Sequence, residues 1–421
     1  MGDNNMSTIE AIVTANNLFT VDLAKQMSSE QNVAVSPLCM ITALALVCLG
    51  AKGNTETQMK KVLHLENCED VHSGLTDLIT ALTVSHEYIL DIESTLFVEQ
   101  TFNISKTYVN VSEMWYNSKP DKTDFQNKPR DAWNHINGWL KEKSEGTFLN
   151  VSEESISSDT NFVVLNTAYL LANWTQSFPE HKTENELFTL STKQYIYREG
   201  CVLHPDGLYA AGQRRIPNTT RETVAETLTD RMSKNETVPI QLMSVEGTFN
   251  FRIISDEELS IIELPYGKSG NLCMYVILPD KSNGIQRVEQ DLSYEKLNDW
   301  TNSTKMKKTF NSIFLPHFEI NKSYSMKRVL SQMGMTDIFL HTKANLSDIS
   351  QDSLYLSDVI SLATVKADED GTKESTSVDD NLEILYLMLP KFTFKADHPF
   401  IFIVKDKPTE CFLFYGTFQH P

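Results

Sequence analysis

The sequence predicts one large α+β domain, and three observations carry that reading. Helical periodicity crowds the first third of the chain, while short apolar runs typical of strands fill most of the rest. The 421 residues are 41% hydrophobic and 22% charged, a globular composition that excludes wholesale disorder. No Pro/Gly/Ser-rich linker and no internal repeat divides the chain. Helices and strands must therefore share a core, without repeated βαβ units.

The elements follow in order. Residues 7–28 place Ile9, Ile12, Val13, Asn16, Leu18, Phe19 and Leu23 near one helical face. In NVAVSPLCMITALALVCLG, Ser36 suits an N-cap, Pro37 the first helical position and Gly50 the stop. This helix is apolar nearly all round and should be buried. TETQMKKVLHL opens a short helix at Thr55. Residues 128–145 form an amphipathic helix with Trp133, Ile136, Trp139 and Leu140 inward. NFVVLNTAYLLANW is too continuously apolar for a half-exposed strand and reads as a central strand covered on both faces. ELSIIELPY, LCMYVILP, FNSIFLPHFEI, EILYLML, FIFIV and CFLFYGTF read as further strands. Residues 195–234 carry turn residues and no sustained apolar period, with a short helix between Thr220 and Met232 as one option. They read as a surface excursion.

Charge and cysteines narrow the function classes. Lys and Arg total 37 against 56 Asp and Glu, a formal charge of −19. That balance argues against a generic binder of nucleic acid or anionic membrane. The six cysteines are scattered without CxxC, so neither a zinc ribbon nor a dense disulfide scaffold is encoded, and reduced, mostly buried thiols are expected. The first residues lack a basic start followed by a continuous apolar core, so no cleavable signal peptide is expected. No apolar run reaches membrane-spanning length.

Catalytic motifs are missing too. There is no GxSxG, HExxH, P-loop or GxGxxG, and the histidines show no metal-ligand spacing. No enzyme activity, metal or cofactor is expected.

Several stretches resemble a known family. NTAYLLANW with Phe178, LPHF at Leu315–Phe318, LYLSDVISLATVKADEDGT, FKADHPFIFIV and the closing CFLFYGTFQHP resemble motifs of the serpins. NVAVSPLCM, LGAKGNT, INGWLKEKSEG, ELPY and QMGMTDIF add matches in the family's order. The resemblance covers residues 7–421 as a single domain, with 195–234 as an insertion, and it is nearest in style to the ovalbumin-like, intracellular-type branch. It implies about nine helices around three β-sheets and an exposed reactive-centre loop. It also implies a metastable protease inhibitor: a protease cuts the bait loop, the loop inserts into the large sheet, and the acyl-enzyme is trapped.

Carried over residue by residue, the resemblance makes Glu369, Asp370, Gly371, Thr372, Lys373, Glu374, Ser375, Thr376, Ser377 and Val378 the hinge. Counting fourteen residues on from Gly371 puts the cut between Leu385 and Tyr386; counting back from DHPF puts it between Tyr386 and Leu387. Either register offers a large apolar residue, hence a chymotrypsin-like serine protease or a cysteine protease of similar preference. A plain apolar loop or edge strand is the competing reading of LEILYLMLPKF. Inserted strands alternate faces, so Thr372, Glu374, Thr376, Val378 and Asp380 would point inward. Glu374 would bury a carboxylate at a cost of a few kcal/mol, about the range for unpaired polar burial. Lys373 replaces an acidic residue on the outward face. These departures leave a non-inhibitory storage, carrier or chaperone-like serpin as the alternative.

Two further departures follow from the same resemblance. Ser36 and Asn166 match a polar cluster where the central strands part, but Ser361 stands where the family usually has His. His317 stands where many members carry a permanently basic residue opposite Glu369, and would weaken that pairing above about pH 6.5.

No Lys or Arg occurs between Lys61 and Lys106, so a heparin-type site on the helix there is not expected. Arg198, Arg214, Arg215, Arg221 and Arg231 form a basic island largely offset by neighbouring acids. Sequons stand at Asn103, Asn110, Asn150, Asn173, Asn218, Asn235, Asn302, Asn321 and Asn345. Both cytoplasm and extracellular space stay open, the latter by export without a cleaved signal. A monomer is expected.

Overall fold

The computed structural model describes residues 7–28, 31–143, 150–190, 237–371 and 392–421, together with the backbone of three short strands within 201–215. EILYLML, the option of a helix at Thr220–Met232, and Thr372 to Leu387 lie outside the described residues.

Six α-helices precede residue 144: α1 (Thr8–Met27), α2 (Pro37–Cys48), α3 (Gly53–Val62), α4 (Val71–Thr83), α5 (Lys106–Tyr116) and α6 (Pro129–Lys143). Three more among the described residues, Ile285–Gln290, Tyr294–Trp300 and Lys327–Met333, interrupt the strand-rich part. Ser7 and Glu10 close a reciprocal capping box on α1. Ser36 caps α2, with Pro37 at its first position, and eleven of the twelve residues of α2 are buried.

The strands are β1 (Val33–Val35), β2 (Tyr88–Glu99), β3 (Asp121–Thr123), β4 (Phe162–Ala172), β5 (Glu184–Thr189), β6 to β8 (Cys201–His204, Gly207–Ala210, Arg214–Arg215) and β9 (Thr237–Ile254). They continue with β10 (Leu259–Tyr266), β11 (Leu272–Pro279), β12 (Lys307–Pro316), β13 (Phe318–Ser325), β14 (Asp358–Ala367), β15 (Phe392–Lys395), β16 (Phe400–Asp406) and β17 (Cys411–Phe418). A five-stranded sheet runs β13-β14-β4-β2-β3. Nine strands form a second sheet, β1-β17-β16-β11-β10-β9-β12-β15, with β5 also on β9. The eighteen-residue β9 holds it together, pairing with β5 through its first third and with β10 at its far end. The excursion at 201–215 contributes a small three-stranded antiparallel sheet, β6-β7-β8.

FNSIFLPHFEI, one run in the sequence, is two strands in different sheets. The chain breaks at Pro316–His317, where β12 ends in the nine-stranded sheet and β13 begins in the five-stranded one. Proline supplies no N–H to continue a ladder.

Both faces of the five-stranded sheet are covered. On one side Val163, Leu165, Ile360 and Leu362 pack with Ala132, Ile136 and Leu140 of α6. On the other, Val164, Ala168, Val359 and Ala363 join the main core with α1, α2 and α4. This explains the continuous apolar character of β4. β17 lies between β1 and β16, and α1 is bonded to it. Asn16 Nδ2 donates to Phe412 O at 2.8 Å, and Asn17 bonds Glu410 O and Phe412 N. Asn17 is thereby bonded through both its amide atoms, whereas Asn16 Oδ1 stays buried without a partner.

Candidate functional site: the central seam and its mouth

β14 and β4 pair in parallel from Asp358↔Val163 to Thr364↔Tyr169. Beyond that point the two strands no longer pair with each other. β14 stays bonded to β13 as far as Ala367↔Phe318, and β4 stays bonded to β2 as far as Ala172↔Tyr88. The sheet therefore parts along one line between two intact banks. Parallel ladders are slightly weaker per residue than antiparallel ones.

A polar row crosses the seam in register: Tyr324 of β13, Ser361 of β14, Asn166 of β4 and Ser94 of β2. Ser361 Oγ donates to Asn166 Oδ1 at 2.8 Å in a fully buried setting. Asn166 Nδ2 and Ser94 Oγ are buried with no partner. Tyr324 OH accepts from Ala34 N at 3.1 Å. Ser36 does not bond this row. Its Oγ accepts from Cys39 N at 3.3 Å at the start of α2, and the Cys39 thiol reaches up to Thr167 O at 3.2 Å. Burial pushes that thiol far above its ordinary range, so it stays protonated. Ser361 and Asn166 thus touch, while Ser36 is tied to them only through α2. Ser94 was not singled out from the sequence; the signal was the register of YILDIESTLFVE against β4, which exists only once the strands are aligned. Ser361→Ala should cost about 1–3 kcal/mol, the penalty for leaving buried amide groups unbonded. Calorimetry should show this as a melting temperature lower by roughly 1–3 °C.

Above the seam the chain leaving β14 reverses. Asp368 N donates to Gly371 O at 3.2 Å and Gly371 N to Asp368 O at 3.3 Å, so Glu369 and Asp370 form the tip of a tight turn. Gly371 has φ 112° and bridges Asn173. A Cβ there would stand 2.4 Å from Ala172 O and 2.7 Å from Trp174 N. Only glycine fits both the angle and the contact.

Four bonds tie this turn to the chain following β4. Trp174 N donates to Asp370 O (2.9 Å), Trp174 Nε1 to Asp368 O (2.8 Å) and Phe178 N to Glu369 O (2.7 Å). Thr183 Oγ1 donates to Glu369 Oε1 at 2.6 Å. Trp174 is clamped by a stack on Tyr266, ring centroids 4.3 Å apart. The other carboxylate oxygen, Oε2, lies 3.1 Å from His317 Nδ1. Partial burial works against the Glu369 charge. The Thr183 hydroxyl, its own amide and His317 outweigh that and hold its carboxyl below the ordinary value. His317 and Glu369, paired on the resemblance, do stand side by side, and the structure adds Thr183 and Trp174. Thr183 lay in unremarkable sequence, and Trp174 closed the NTAYLLANW motif with nothing there to show its bonds to the turn.

Of the remaining expected positions, Asn103, Asn110, Asn150 and Asn345 are exposed, whereas Asn302 and Asn321 are half-buried. Asn173 is half-buried too, with its Oδ1 enclosed and unbonded, and Asn218 and Asn235 lie outside the described residues. α4 carries no Lys or Arg. Cys39, Cys48, Cys68, Cys273 and Cys411 are free thiols. No metal-ligand cluster occurs among the described residues.

Known proteins share this architecture. The family profile described as Serpin (serine protease inhibitor) matches residues 14–198 and 208–421. Ovalbumin-related protein Y of Gallus gallus is 29% identical over 98% of this chain and 100% of its own length. Serpin B6 of Pongo abelii is 30% identical with the same coverage, and the leukocyte elastase inhibitor of Equus caballus is 28% identical. Uncleaved ovalbumin superposes with a TM-score of 0.81 at 26% identity, and maspin with 0.80 at 28%, each over 98% of this chain and 100% of the other. The family is one of protease inhibitors, not of enzymes. On its profile, its order of motifs and its parted sheet, the chain belongs to the serpin family, among relatives of the ovalbumin type.

Proposed function

We propose that this serpin inhibits a serine protease of chymotrypsin-like preference by offering Leu385 or Tyr386 as bait and trapping the acyl-enzyme. The protease serine attacks the carbonyl of the bait residue. The peptide bond breaks, the following residue leaves as a free amine, and the loop stays esterified to the protease. Hydrolysis would release it; insertion of the hinge competes.

The seam carries this reading. Because the chain reverses at Asp368–Gly371, a strand continuing from Gly371 runs antiparallel to β14. β4 is parallel to β14, so the same strand runs antiparallel to β4 as well. Insertion exchanges one parallel ladder for two antiparallel ones, a net gain in backbone bonding. The upper ends of β4 and β14, which do not pair with each other, lie where that exchange would begin. That one relative is named a leukocyte elastase inhibitor agrees with an apolar bait residue. We place the protein as a monomer in cytoplasm or extracellular space, independent of heparin, with residues 195–234 as an insertion.

Incubation with chymotrypsin, elastase or cathepsin G should give an adduct that survives SDS. Clean cleavage near Leu385 with full recovery of protease activity would sink the proposal and favour the non-inhibitory reading, for which Lys373 and Glu374 speak. Glu374→Ala should raise the trapped fraction by removing a carboxylate from the inward face. An unchanged fraction would show that this residue does not limit insertion.

A further inference from the structure

Three of the exposed sequons gather in one place. Asn103 follows the end of β2 and is held through its backbone: its N donates to Asp352 Oδ2 and its O accepts from Ser350 Oγ, both at 2.8 Å. Two residues on, Ser105 N donates to Ile349 O at 2.8 Å, and α5 starts, with Asn110 in its second turn. Asn345 closes the group. Lys52 N donates to its carbonyl at 3.0 Å, and its own N donates to Thr55 Oγ1 at 3.0 Å. Its Oδ1 accepts from Ser347 N at 3.4 Å, a local bond that leaves Nδ2 unused. All three asparagines are exposed.

This pole is the closed end of the seam. Glu99 N donates to Asn161 O and Ser357 N to Phe162 O, both at 2.8 Å, where β4 and β14 begin. The eleven residues of β4 separate it from the mouth, roughly 33 Å at the usual strand rise. The pole also carries exposed apolar side chains. Met114 is 63% exposed and lies one helical turn from Asn110 on the same side of α5. Leu340 is 44% exposed and is joined to the Asn345 segment by Ala344 N, which donates to Leu340 O at 2.8 Å.

We propose that Asn103, Asn110 and Asn345 carry N-linked glycans, which together cap the pole opposite the mouth. The donor is a lipid-linked diphospho-oligosaccharide of the secretory route. The Asn amide nitrogen attacks the anomeric carbon of the first N-acetylglucosamine. A C–N bond forms, and the C–O bond to the diphosphate breaks. The lipid diphosphate leaves with the bonding pair, the amide gives up one proton to the transferase, and nothing is oxidised or reduced.

Two other sequons fail on packing. Asn173 sits in the mouth: its carbonyl accepts from Gly267 N at 2.8 Å, and a Cβ on Gly371 would lie 2.8 Å from its Cα. Asn321 is half-buried within β13, opposite the buried Thr364. A sugar at either position prevents the native packing, so folded molecules lack it. Asn150 and Asn302 stand on other elements, away from this pole. The cap covers Met114 and Leu340, which otherwise favour self-association. It leaves the mouth bare, so the inference stands whether or not the chain traps a protease.

The test expresses the full chain in cultured vertebrate cells and isolates the folded monomer. Enzymatic removal of N-glycans in heavy-oxygen water converts each occupied asparagine to a labelled aspartate, read by peptide mass spectrometry. Label should appear at Asn103, Asn110 and Asn345 and be missing at Asn173 and Asn321. Each of Asn103→Gln, Asn110→Gln and Asn345→Gln should remove one step of gel mobility and leave the circular dichroism unchanged. Label missing from any of the three, or present at Asn173 or Asn321, overturns the assignment. On a hydrophobic-interaction column Asn110→Gln should be retained longer than the parent, and adding Met114→Ser should reverse that. Retention unchanged by Asn110→Gln overturns the shielding of Met114.

Discussion

If the proposed inhibition holds, Leu385→Arg or Tyr386→Arg, whichever is the bait position, should abolish adduct formation with chymotrypsin and create it with trypsin. The expected change is at least a hundredfold in association rate in each direction. The two proteases differ in one specificity pocket, apolar in chymotrypsin and acidic in trypsin, and a charge forced into an apolar pocket stays unpaired and desolvated. The pair of single variants also fixes the register: only the variant at the bait position switches completely, and its neighbour shifts the rate by a smaller factor. Both variants retaining full reactivity with chymotrypsin would place the cut outside Leu385–Leu387.

The second large effect concerns Gly371. Gly371→Ala places a methyl group 2.4 Å from Ala172 O on a residue with φ 112°. Neither the angle nor the contact can be relieved without moving the turn, at about 2–4 kcal/mol for combined strain and clash. A chain this long has a large unfolding entropy, so the uncleaved protein should melt only about 3 °C lower. The local consequence is greater. Displacing the turn loosens the Trp174 and Phe178 bonds that hold the banks, and the altered protein should take up loop peptide at least tenfold faster. Unchanged uptake beside a lowered melting temperature would mean that the turn does not control the mouth.

Local chemistry made part of this molecule legible in the sequence. Ser36–Pro37 announced a helix start because capping depends on adjacent residues. β4 announced burial on both faces through its unbroken apolar run. β9 escaped because Pro239 and Gly247 punctuate it like turns, although its side chains alternate between buried and exposed through most of its length. The change of sheet at Pro316–His317 escaped because the apolar period continues across it. At the site, the family motifs pointed to Asn166, Ser361, His317 and Glu369. Thr183 and Ser94 could not be found that way: Thr183 meets Glu369 across 186 residues, and such a meeting is a property of the assembled sheet rather than of any segment.

The placing of β17 between β1 and β16 has a consequence for how the molecule is made. On the ribosome, α1 emerges long before β17, with Asn16 and Asn17 facing a strand up to 396 residues away that has not yet been synthesised. Until it arrives, two buried amides and the apolar groove beside them stay uncovered, and the nascent chain must be kept from aggregating meanwhile. Such late, long-range closure favours slow maturation.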